Sequence, residues 1–137
     1  MLKSVSLDTY MVKPPIKIKS RATILEAVKL ILEHSVSGLC VVDEENKLVG
    51  LLSELDCLKA IIGLEKDEAL SNPRFVYEAM TPDVVVNKPD DDIISVATSM
   101  LSERHRRRPV IDHEVLIGQI TCRQILGAIN GFSNPAK

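Results

Sequence analysis

The chain has 137 residues, 45% of them hydrophobic and 26% charged, which lies within the range of compact globular sequences and suffices to bury a core. Aromatic residues make up 3% and tryptophan is absent, so that core is aliphatic and a surface for stacking bases is not expected. A formal net charge of −2 gives no overall attraction to nucleic acid or anionic lipid, and a bound anion must be held by local groups.

In chain order, the opening MLKSVSLDTY lacks the apolar stretch of a signal peptide, and no apolar run approaches the roughly 20 residues that span a bilayer. The expectation is a cytoplasmic protein with no membrane partner. A short extended stretch at Ile16 to Ile18 precedes a helix whose apolar positions Ile24, Ala27, Val28, Ile31 and Leu32 follow the i, i+3, i+4, i+7 spacing. Two apolar runs, Leu39 to Val42 and Leu48 to Leu52, flank the polar turn Glu44-Glu45-Asn46-Lys47 and predict a strand pair. Ser53 opens a last helix carrying Leu55, Leu58, Ala60 and Ile61, and the polar stretches 65–68 and 72–74 read as a linker.

The same order then returns. Met80 aligns with Met11 at an offset of 69 positions, pairing Ile24 with Ile93, Leu32 with Leu101, Val41 with Val110 and Asp43 with Asp112. A one-residue deletion in the turn changes the offset to 68, and Gly50 then meets Gly118, Ser53 meets Thr121 and Leu58 meets Leu126. The second copy has an extended stretch at Val84 to Val86 and a helix over Ile93, Val96, Ala97, Met100 and Leu101 with Asp92 as N-cap. A strand pair follows about the turn His113-Glu114, then a helix with Ile125, Leu126 and Ile129. The predicted fold is α+β, two repeated β-α-β-β-α units packed as a pseudo-twofold pair, because one unit alone would leave an apolar helix face uncovered.

Gly50-Leu-Leu-Ser53-Glu-Leu-Asp56, following Cys40-Val-Val-Asp43, resembles the signature of the cystathionine-β-synthase (CBS) domain. Pro109-Val-Ile-Asp112 with Gly118-Gln-Ile-Thr121 matches the same pattern, and Met80-Thr-Pro resembles its usual opening. On this resemblance the first CBS repeat spans 7–63, a linker 64–75, the second repeat 76–131 and a tail 132–137. The resemblance implies a non-catalytic Bateman module that binds a regulatory adenine nucleotide (AMP, ADP, ATP or an S-adenosyl compound) in a cleft between repeats, requires no cofactor, forms a homodimer and signals to an effector protein not named by the sequence.

Carried over residue by residue, the resemblance gives Asp56 to the ribose hydroxyls, Ser53 and its helix N-terminus to the phosphate, and Arg106 and Arg107 to the same phosphate. Leu51, Val84, Val85 and Val86 would form an apolar slot for adenine, flanked by His105 and Pro109. The complementary site, Thr121 and Gln124 with Ile16 and Gly38, is expected to be degenerate, since Gln replaces Asp and Ser37 and Gly38 stand at the positions matching the arginines. One competent site per chain is the expectation.

Local physics offers plainer readings. Ser53 with Asp56 and Thr121 with Gln124 are also helix-capping pairs, and Arg104 to Arg108 could be a solvated helix end. Asp90, Asp91 and Asp92 fit cap and dipole roles. Cys40, Cys57 and Cys122 lack metal-ligand spacing and are expected as reduced core residues. His34, His105 and His113 share no ligand spacing, so no metal site, nucleophile or enzyme is expected. A nucleotide-independent dimerisation or docking module is the alternative function.

Overall fold

A computed structural model describes residues 5–63 and 75–133. Most of the expected linker and the end of the tail lie outside them. The architecture is α+β, with two compact units, Ile16–Val84 and Met1–Pro15 with Val85–Lys137.

In the first-repeat unit, β1 (Lys17–Lys19) runs parallel to β2 (Gly38–Val42), and β2 pairs antiparallel with β3 (Leu48–Ser53), giving the order β1-β2-β3. Every residue of β2 is buried, as expected of a central strand with a continuous apolar run. Helix α1 (Ile24–His34) starts at Thr23, whose side chain accepts from Glu26 N–H while the Glu26 carboxylate accepts from Thr23 N–H. This reciprocal cap satisfies two otherwise orphaned donors. Helices α2 (Glu54–Ile62) and α3 (Val76–Ala79) complete the unit. Ile24, Ala27, Ile31, Leu39, Val41 and Val76 are core members.

The second-repeat unit holds α4 (Ile93–Glu103), β4 (Arg107–Asp112), β5 (Val115–Thr121) and α5 (Cys122–Ser133). Asp92 caps α4 by accepting from Ser95 N–H. Asp91 instead fixes the preceding turn, accepting from the Asn87 amide and Lys88 N–H. β4 and β5 form an antiparallel pair whose connecting residues, His113 and Glu114, have φ of 50° and 72°. Both signs fit the tight turn that matches strand twist.

The strand expected at Val84 to Val86 is reduced to one parallel pairing, Asn87 with Val110. The cause is chemical. In the first repeat Cys40 N–H donates to the Ile16 carbonyl at 3.2 Å, whereas the matching residue in the second repeat is Pro109, which has no N–H to donate.

The opening segment of each repeat belongs to the compact unit of the other. Leu7, in a 3-10 turn over Leu7–Thr9, is buried with Ile93, Val96, Val110 and Ile120 in the second-repeat core. Val76, its repeat equivalent, is buried in the first-repeat core. Backbone bonds follow suit: Val12 and Gln119 exchange N–H to carbonyl bonds at 2.7 and 3.1 Å, and Thr81 and Leu51 do so at 2.9 and 3.0 Å. A Cβ on Gly50 would lie 2.6 Å from Met80 Sδ, and one on Gly118 2.8 Å from Met11 Sδ. Glycine is therefore required at both places for this close approach.

The helices bury narrower stripes than the periodicity implied. Ile24, Ala27 and Ile31 face the core, but Leu32 is 72% exposed and its equivalent Leu101 is 81% exposed. On α2 the core is met by Cys57 and Ala60, leaving Leu55, Leu58 and Ile61 exposed, and on α5 Leu126 is exposed while Ala128 is buried. Cys122 is also exposed, contrary to expectation, because it occupies the first turn of α5, off the stripe of Ile125 and Ala128.

Candidate functional site

The two Ser/Thr motifs sit at equivalent strand-to-helix junctions. Ser53 ends β3 and caps α2: its Oγ accepts from Asp56 N–H at 3.0 Å, and Asp56 Oδ2 accepts from Ser53 N–H at 2.9 Å. The capping reading is therefore realised, and Asp56 Oδ1 accepts from no described residue. Ser37 and Gly38 lie against this junction, since Glu54 N–H donates to the Ser37 carbonyl at 3.0 Å and Gly38 pairs with Ser53. Leu51 is half-buried opposite Cys40, Ile16 leads into β1, and Val84 ends the unit.

Cys57 follows Asp56 directly. Burial pushes its thiol upward, and the neighbouring Asp56 and Glu54 carboxylates add to the shift. The thiol thus stays protonated at neutral pH and acts as a small apolar group.

In the second-repeat unit, the Gln124 side chain accepts from Thr121 N–H at 3.0 Å and from the Thr121 hydroxyl. Arg107 is the ladder partner of Thr121, and Cys122 N–H donates to the Arg106 carbonyl at 3.0 Å. Both arginines thus lie beside the α5 N-terminus within their own unit, Arg106 exposed and Arg107 half-buried. Pro109 is buried opposite Gln119, and Val85 and Val86 precede the Asn87 pairing. His105 is half-buried, and its Nδ1 accepts from Arg108 Nε at 3.1 Å.

The two junctions differ in the side chains they present. The first offers a carboxylate with Ser37 and Gly38 beside it; the second offers two arginines with an uncharged Gln124. Arg108, 1% exposed, departs from the reading of its run as a solvated helix end. The signal was present in the repeat alignment, where Arg108 faces Leu39, a fully buried core residue. Among the described residues no group of three or more His, Cys, Asp or Glu is placed to hold a metal ion. No helix among them is long and apolar enough to cross a membrane.

A family profile of the CBS domain matches residues 5–63 and again 76–131. The chain belongs to the CBS domain family. Two relatives from Methanocaldococcus jannaschii are an inosine-5'-monophosphate dehydrogenase, 38% identical over 120 residues, and an L-aspartate semialdehyde sulfurtransferase, 31% identical over 120 residues. Each match takes in 87% of this chain but 22% of the relative, so the chain spans about a fifth of either enzyme. Among solved structures, CBSX2 in complex with AMP superposes with a TM-score of 0.85 at 26% identity, covering 94% of this chain and 98% of that one. The CBS domain pair of protein MJ0100, in complex with 5'-methylthioadenosine and S-adenosyl-L-methionine, gives 0.80 at 28% identity, again covering 94% and 98%.

Proposed function

We propose that this chain is a regulatory module that senses an adenine nucleotide and catalyses no reaction. The observation that carries the reading is its likeness over nearly its whole length to CBS pairs in complex with AMP and with S-adenosyl compounds. In this reading Asp56 Oδ1 accepts from the ribose hydroxyls while Oδ2 keeps its cap bond, a division that lets one carboxylate serve helix and ligand together. Arg106 and Arg107 take the phosphate with fork geometry, and Ser53, Leu51, Val84, Val85, Val86, His105 and Pro109 form the rest of the site.

Binding regulates only if the nucleotide favours one conformation or assembly over another, and the output passes to an effector protein. Thermal unfolding with AMP, ADP, ATP and S-adenosylmethionine tests the reading. At least one should raise the midpoint, and Asp56→Asn should diminish the rise. Indifference to all four would refute it.

The alternative, a nucleotide-independent homodimerisation or docking module, is favoured by one observation. Exposed leucines recur at repeat-equivalent positions, Leu32 with Leu101 and Leu58 at 51% with Leu126 at 66%. Assembly unaffected by nucleotide and by Asp56→Asn, but weakened by Leu58→Lys, would support this alternative.

A further inference from the structure

The helices of the two repeats present unequal outer faces. The first repeat leaves Leu25 and Leu32 of α1 and Leu55, Leu58, Ile61 and Ile62 of α2 exposed. Leu55, Leu58 and Ile62 have the spacing of one helix face, and it is Cys57 and Ala60 that meet the core instead. The matching face of α5 keeps Leu126 but carries Arg123 for Leu55, Gly127 for Lys59 and Asn130 for Ile62. Gly127 is exposed in the helix interior, and a Cβ there would meet nothing within 4 Å. Packing among the described residues therefore does not call for glycine at this place, although glycine weakens a helix.

Charge divides along the same line. The first-repeat unit holds 12 acidic and 8 basic residues, the second-repeat unit 7 and 9. Exposed Glu33 and Glu54 adjoin Leu32 and Leu55 on the first face, and exposed Arg104 and Arg123 stand one helical turn from Leu101 and Leu126 on the second. Each face thus carries what the other lacks: bulk and acid on one, a gap and base on the other.

We infer that two copies of this chain pair head to tail, with the α2 face of each copy seated on the α5 face of its partner. This pairing rests on the homodimer reading above and owes nothing to a nucleotide. A head-to-head dimer would bring each face against its own copy, arginine against arginine and glycine gap against glycine gap. Head to tail, the large side chains of α2 fill the space over Gly127, and the acidic unit of one copy meets the basic unit of the other. Twofold symmetry then repeats the same contact and closes the assembly.

Cross-linking of the full chain tests the pairing, in a Cys122→Ser background because Cys122 is exposed while Cys40 and Cys57 are buried. An equal mixture of the Leu58→Cys and Leu126→Cys chains should form a covalent dimer on mild oxidation, and neither chain alone should. Sedimentation supplies the second measurement. Gly127→Leu, whose side chain enters open space in the single chain, should keep its circular dichroism and weaken dimerisation about tenfold or more. Leu126→Lys should act alike, and added salt should loosen the wild-type dimer.

A dimer that cross-links in either single variant is head to head, and it overturns the inference while sparing the homodimer reading. A dimer that cross-links in none of the three samples, or that Gly127→Leu and Leu126→Lys leave as tight as wild type, places the interface elsewhere and overturns it too. A wild type that stays monomeric at every concentration overturns both the inference and the homodimer reading.

Discussion

Arg107 stands directly across the β4–β5 ladder from Thr121, one residue before α5. A phosphate at that helix end would meet the guanidinium and the helix dipole together. Arg107→Ala should weaken AMP binding about 10- to 100-fold, the scale of a lost charge-assisted bond, and leave adenosine binding nearly unchanged. Calorimetric titration with both ligands checks this.

Leu7 opens the first repeat but is buried in the core of the second. Leu7→Ala should cost about 2–4 kcal/mol through the cavity it leaves. Hydrogen exchange should show the loss of protection in β4 and β5, with α1 and β2 spared. Val76→Ala should give the reverse pattern.

Gly118 admits Met11 so closely that a Cβ would also lie 2.9 Å from the Val12 carbonyl oxygen. That backbone atom cannot yield as a flexible side chain can. Gly118→Ala should therefore destabilise by about 1–3 kcal/mol, as overpacking does, and Gly50→Ala, facing Met80 and the Thr81 carbonyl, should match it. Chemical denaturation of both variants gives the comparison.

Asp43 Oδ1 accepts from Glu45 N–H at 2.8 Å and Lys47 N–H at 3.0 Å, closing the β2–β3 turn. The bond from Lys47 N–H chiefly holds its carboxyl below the ordinary value of 3.8. A carboxyl lowered on folding stabilises above its unfolded value, and that contribution is lost as pH falls through the folded value. Asp43→Asn should thus be less stable than wild type at pH 7, with the gap narrowing below about pH 4. Denaturation midpoints across pH 2 to 7 measure it.

Much of this structure was legible because the two copies constrain each other. Ile24 and Ile93, or Val41 and Val110, are apolar in both repeats for the same packing reason, and the helices and hairpins fall where their periodicities place them. The exchange of Leu7 and Val76 was not legible, since periodicity reports which residues are buried but not which core receives them. The missing strand at Val84 to Val86 could have been read from Pro109 standing where Cys40 donates a hydrogen bond. Exposed Leu32 and Leu101 show the converse limit: a helical stripe gives the width of an apolar face, and packing decides how much is covered. The candidate site was legible as a motif, yet Arg108 was hidden inside a charge run whose usual place is the surface.

The proposed function turns on Asp56 receiving the ribose of an adenine nucleotide at one competent site per chain. Calorimetric titration of the wild type and Asp56→Asn with AMP tests it most directly, because asparagine can still accept the Ser53 N–H bond and so preserves the helix cap. One AMP should bind per chain, with affinity reduced about tenfold or more in the variant. Absence of binding by the wild type, two equal sites per chain, or unchanged affinity in Asp56→Asn would contradict it.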